Sequence, residues 1–264
     1  MPADLYFALT LIAKMAATAA VVLAATVTAE RAGPLVGGLV ASLPIGAGPV
    51  YVFLALDQDS QFIAASAVGS LAVTAVNVAL ALTYAMLAQR YRLAISLPVA
   101  FAVWVVLALA INLVEWTLLS AGLMNVAVTG VALWLVRPLR NVPMPRVHAS
   151  WHDLAMRAIL AAALVAVVVT FSFRIGPAAS GILAVFPVVL MSIMYILHRR
   201  VGGKPSAAVL ANAILGLVGF GFATVALHLS AVPLGSALGL SLALAVSVGW
   251  GFLIYGARRR GIPV

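Results

Sequence analysis

Two cations stand inside apolar runs where a charge is costly. Lys14 lies about ten residues into a run that starts near residue 5, and Arg157 holds the corresponding place in a run that starts near residue 150. At 1.5 Å per residue each Cα falls near the centre of a bilayer, where charged groups normally face a protein interior or a wet cavity. Two such cations brought together would bind an anion. The competing reading is snorkelling, easier for Arg157, which follows Asp153 at helical spacing and could pair with it.

Prolines recur with the same regularity. The apolar runs 33–56 and 177–198 each begin with Gly-Pro and carry a second proline, Pro44 and Pro187, ten residues after the first. An internal proline removes a helical hydrogen bond and clashes with the preceding turn, so both helices are expected to break near mid-membrane. The half-helix after each break would aim its positive end at the region Lys14 and Arg157 could reach. Neighbouring helices re-satisfying the backbone is the plainer reading. Asn77 and Asn212 read either as polar liners of the same substrate-binding site or as interhelical hydrogen-bond formers. Arg31 and Arg174 precede the Gly-Pro steps as gate or headgroup contacts, and for Arg31 a solvated interfacial arginine is the better reading. Gly33, Gly38, Gly176 and Gly181 suit close helix packing.

These residues need helices to position them, and the composition says which kind. Of 264 residues, 65% are hydrophobic and 8% charged, against about 25% charged in a soluble domain, and the mean hydropathy is +1.20. The chain therefore reads as an all-α polytopic membrane protein. Cysteine is absent, which removes disulfides, thiolate metal sites and cysteine nucleophiles. His148 and His152 have i, i+4 spacing without a carboxylate motif, so no metal and no cofactor are expected. Neither a Ser-His-Asp order nor a phosphate loop is evident, and no enzyme activity is expected. The net charge of +9 comes from small loop clusters, which argues for membrane topology and not for nucleic acid.

Nine spans of bilayer length are expected, near 5–28, 33–56, 60–88, 93–112, 116–136, 150–171, 177–198, 205–229 and 232–256. The first reads as a retained helix and not as a signal peptide, for want of a basic leader and cleavage site. Alternating the sides places twelve loop cations, among them Arg31, Arg90, Arg92, Arg137, Arg140, Arg146, Arg199, Arg200 and Lys204, on one face, and only Arg174 on the other with Asp4, Asp57, Asp59 and Glu115. The positive-inside rule then puts the N-terminus outside and the C-terminus in the cytoplasm.

Internal similarity appears at a constant offset of 143 residues. Arg31-Ala32-Gly33-Pro34 with Gly38, Ala41 and Pro44 matches Arg174-Ile175-Gly176-Pro177 with Gly181, Ala184 and Pro187, and Lys14 matches Arg157. The expected organisation is a first four-helix repeat in 1–112, a linking transmembrane helix and cytoplasmic linker in 113–147, and a second four-helix repeat in 148–264. Five crossings separate equivalent points, so the second unit should be inverted, a recurring plan of secondary transporters. The cytoplasmic charges Arg199 and Arg200 where the first unit has Asp57 and Asp59 agree with this.

Each unit resembles the small GlpM family of bacterial inner-membrane proteins. The resemblance is carried by Lys14 in the first helix and by the Gly-x-Leu/Ile-x-x-x-Pro pattern of the second, Gly38 to Pro44 and more closely Gly181 to Pro187. It implies a bacterial inner-membrane location and a tie to cell-envelope polysaccharide production. The chain departs from that pattern in being two fused units, with Leu43 where the second copy has Phe186.

The expected function is a transporter or flippase-like carrier of a small anionic or amphipathic solute, working by alternating access between the repeats, with membrane lipids as its surroundings. The alternative is a non-transporting membrane subunit of an envelope-biosynthesis complex, in which the basic segment Arg137 to Arg146 docks a partner or lipid headgroups. All six acidic residues lie near helix ends or in loops, so coupling to protons would use Lys14, Glu30 or Glu115.

Overall fold

Long uninterrupted apolar sequence leaves the backbone only one way to satisfy itself in lipid, the helix. The computed structural model describes residues 3–31, 46–139 and 150–260, which are helical throughout apart from short connections. In chain order the helices are α1 (Ala3–Arg31), α2 (Ala47–Asp57), α3 (Ser60–Leu87), α4 (Leu93–Asn112), α5 (Leu118–Leu135), α6 (Trp151–Ala184), α7 (Val188–Val201), α8 (Gly203–Leu234) and α9 (Ser236–Arg259), with a short 3-10 turn at Arg137–Leu139. Among the described residues seven helical stretches are long and apolar enough to cross a membrane, α6 and α7 together forming one stretch of 51 residues. The protein is thus a polytopic membrane protein. Pro44, Gly33 and Gly38 lie outside the described residues.

Local chemistry sets the helix starts. Asp59 caps α3, its carboxylate accepting from the Phe62 amide at 2.8 Å. Thr117 with Ser120 and Ser150 with Asp153 form capping boxes at α5 and α6. Inside α6 the backbone turns a corner at Gly176, whose φ of 76° and ψ of 176° leave helical space. A side chain there would be strained, so glycine is the residue the corner requires. The boundary expected between the runs 150–171 and 177–198 is therefore a single residue.

α3 is almost wholly buried and forms the centre of the molecule. It packs on α4, α5, α6 and α8, and its core residues join those of both halves in one cluster. α4 and α5 turn large apolar side chains such as Val106, Leu109, Leu119 and Val126 outward, which suits a lipid face.

Helix boundaries repeat at the sequence offset. Ser60 and Gly203 open α3 and α8, and Leu93 and Ser236 open α4 and α9, each pair 143 residues apart. α3 and α8 pack against each other in opposite directions. His228, late in α8, donates from Nδ1 to the carbonyl of Ala64, early in α3, at 2.8 Å, while Tyr84, late in α3, bonds Ser206, early in α8, at 2.8 Å.

Candidate functional site

The stretch after the Gly176 corner contains a second interruption. Helical structure stops at Ala184, and Pro187 stands as the N-cap of α7 with φ −78° and ψ 44°. Carbonyls near such a break lose their partners, and leaving one buried and unbonded would cost about 1–3 kcal/mol. α3 supplies donors at intervals of seven residues. Ser70 donates to the Gly181 carbonyl at 2.8 Å and Asn77 to the Val185 carbonyl at 2.9 Å, beside the break, and Tyr84 donates to the Met194 carbonyl within α7 at 3.2 Å. The spacing keeps all three on one face of α3.

Each clamp has its own support. Tyr51 of α2 bonds Ser70 at 2.6 Å. The Trp104 indole donates to Asn77 Oδ1 at 2.6 Å, and the Trp104 ring stacks on Phe101 and meets Phe186 edge-on. The Tyr84 hydroxyl also lies 2.9 Å from His198 Nδ1. Small residues let the backbones approach closely. A Cβ on Gly181 would fall 1.9 Å from the Ser66 carbonyl oxygen, and one on Gly69 would fall 2.4 Å from that of Ala178.

Among the described residues there are two ion pairs. Lys14 Nζ lies 2.7 and 2.5 Å from the Asp57 carboxylate oxygens, with the Phe53 ring beneath it at 6.0 Å. Beside this pair Gln58 donates to Ser172 of α6 at 3.2 Å. Arg157 precedes Ser172 by fifteen residues on α6, about 22 Å along the axis. There Asp153 pairs with Arg200 and feels the charge of Arg157 as well. Lys14 and Arg157 are therefore not brought to a shared anion site. Each has a carboxylate neighbour, Asp57 for Lys14 and Asp153 for Arg157.

Asn77 serves as an interhelical hydrogen-bond former. Asn212 donates to Ala208 of its own helix and accepts from Arg258 at 2.6 Å. Arg174 is exposed next to the Gly176 corner, and Arg31 closes α1. Sequence reasoning missed Ser70, Tyr84, Trp104 and His198. The signal available was the seven-residue spacing of Ser70, Asn77 and Tyr84 in an otherwise apolar helix.

A groove of about 420 Å³ lies between α2, α8 and α9. Ala47, Tyr51 and Leu56 line it from α2, Phe220, Thr224 and Leu227 from α8, and Ser236, Leu240 and Leu244 from α9. Its hydroxyls are already engaged: Tyr51 with Ser70, Thr224 with the Gly221 carbonyl, Ser241 with the Ala237 carbonyl, and Ser236 with Ser60. What faces the space is hydrocarbon, and no lining residue is charged.

Groove positions and clamp positions correspond across the offset. Leu227, Ala55, Phe220 and Leu244 line the groove, and the residues 143 positions away are Tyr84, His198, Asn77 and Phe101. One half is closed by hydrogen bonds and stacked rings where the other is open and apolar. Comparison of the chain with family models, curated proteins and solved structures finds no match.

Proposed function

We propose that this chain is a membrane carrier for an amphipathic solute, built from two inverted four-helix units, with the groove between α2, α8 and α9 as the solute site. The inversion is supported by the shared offset of the helix starts and the antiparallel packing of α3 on α8. Nine crossings follow if the stretch 151–201 passes twice and the run 33–56, of which α2 is the described part, passes once. Its 51 residues would measure about 76 Å if straight, more than twice a hydrocarbon core of roughly 30 Å. The charge distribution favours a bacterial inner membrane with the N-terminus outside and the C-terminus in the cytoplasm.

The observation that carries the reading is the contrast between the halves. Polar clamps join α3 and α4 to the stretch around Pro187, so motion falls to the side of the molecule where α2, α8 and α9 enclose an open space. A lining without charge suits the apolar part of an amphipath better than a free inorganic anion. The test is reconstitution into vesicles containing a fluorescent short-chain phospholipid, with dithionite added outside to report transfer between leaflets. The expected result is transfer faster than in protein-free vesicles and suppressed by Leu240→Trp, which fills the groove. Equal rates with and without protein would refute the carrier.

A further inference from the structure

The groove's ends are chemically different, and this bears on what it holds. Resting on the carrier reading, we propose that the occupant is one acyl chain of a phospholipid with an amine-bearing head, entering from the leaflet on the Asp59 side. The groove extends along α2 from Ala47 to Leu56, about 14 Å of helix, close to half of a bilayer core of roughly 30 Å. It therefore spans one leaflet, the depth of one lipid tail, and each of its lining hydroxyls already has a protein partner.

The polar end is built from the turn joining α2 to α3. Leu56 lines the groove, Asp57 follows it, and Ser60 bonds Ser236 at the groove's edge at 3.1 Å. Asp57 is held by Lys14. Asp59 is exposed and accepts the Phe62 amide as helix cap, and among the described residues it makes no ion pair. A carboxylate at the mouth of a hydrocarbon groove complements an ammonium head and repels a purely anionic one.

The test uses the full chain in vesicles containing phosphatidylethanolamine with a diazirine in one acyl chain, compared with phosphatidylglycerol carrying the same chain. Adducts mapped by mass spectrometry should concentrate on Val52, Phe220, Leu240 and Leu244, several-fold more with the amine lipid. Asp59→Asn keeps a helix-capping side chain and should abolish the preference while retaining chain adducts; Leu240→Trp should abolish the adducts. Labelling of α4 and α5 as dense as that of the groove would mean surrounding lipid only and overturn the proposal, as would equal labelling by the two lipids. Groove labelling without faster leaflet transfer leaves this inference standing and removes the carrier reading.

Discussion

Lys14 and Asp57 form an ion pair between α1 and α2 at positions whose counterparts, 143 residues on, are Arg157 and Arg200. In the second unit both positions carry arginine, and Asp153, one turn before Arg157, supplies the carboxylate that pairs with Arg200. Equivalent places thus tie the first helix of each unit to the helix following its proline, with different residues. The second tie contains guanidinium groups that stay charged at any relevant pH.

Removing one member of the Lys14–Asp57 pair leaves the other partly buried and uncompensated. Lys14→Met and Asp57→Asn should each lower stability by roughly 1–3 kcal/mol, and the double variant should lose less than the sum. Thermal unfolding in detergent measures all four species. Additive losses would show that the two side chains do not interact.

Asn77 bonds two buried groups, the Val185 carbonyl and the Trp104 indole. Asn77→Leu strands both, and a loss of about 1–3 kcal/mol is expected. Trp104→Phe removes only the indole donor and should cost less. Intrinsic fluorescence during unfolding follows Asn77→Leu, and circular dichroism follows both.

Backbone contact at Gly181 leaves no room for a methyl group, because the atom opposite is the Ser66 carbonyl oxygen. Gly181→Ala should sharply reduce folded protein recovered from membranes. Gly216→Ala is the control: nothing lies within 4 Å of its added Cβ, and alanine in place of a mid-helix glycine should be neutral or slightly stabilising. Similar recovery of both variants would contradict the close crossing.

The native chain lacks cysteine, so orientation can be read with single labels. Gln61→Cys, next to the exposed turn of α3, should react with an impermeant maleimide added outside intact cells, and Arg259→Cys only after permeabilisation. The reverse pattern would invert the assignment.

The all-helical, membrane-spanning character was legible from apolar run lengths, because helix formation in lipid is dictated by the backbone's need for partners. The starts of α3, α4, α8 and α9 fall at or within a few residues of the breaks in those runs. The site was less legible. Lys14 and Arg157 occupy corresponding places in their runs, which suggests convergence, but position along a helix does not say which neighbour is within reach. Asp57 looked like a loop charge and is Lys14's partner. Asn77 left two readings open, and only the placement of Val185 and Trp104 decides between them. The groove had no signature, since its lining is as apolar as the lipid-facing surface.

On the carrier reading, movement belongs to the groove-bearing half. Val52 and Leu244 line the groove from α2 and α9, and Tyr195 and Phe101 are their counterparts in the clamped half. Cysteines at each pair, joined by a flexible bifunctional maleimide, test the claim by the rate of fluorescent phospholipid transfer in vesicles. Linking positions 52 and 244 should stop transfer, while linking 195 and 101 should leave most of it. Undiminished transfer after the 52–244 link would contradict the account.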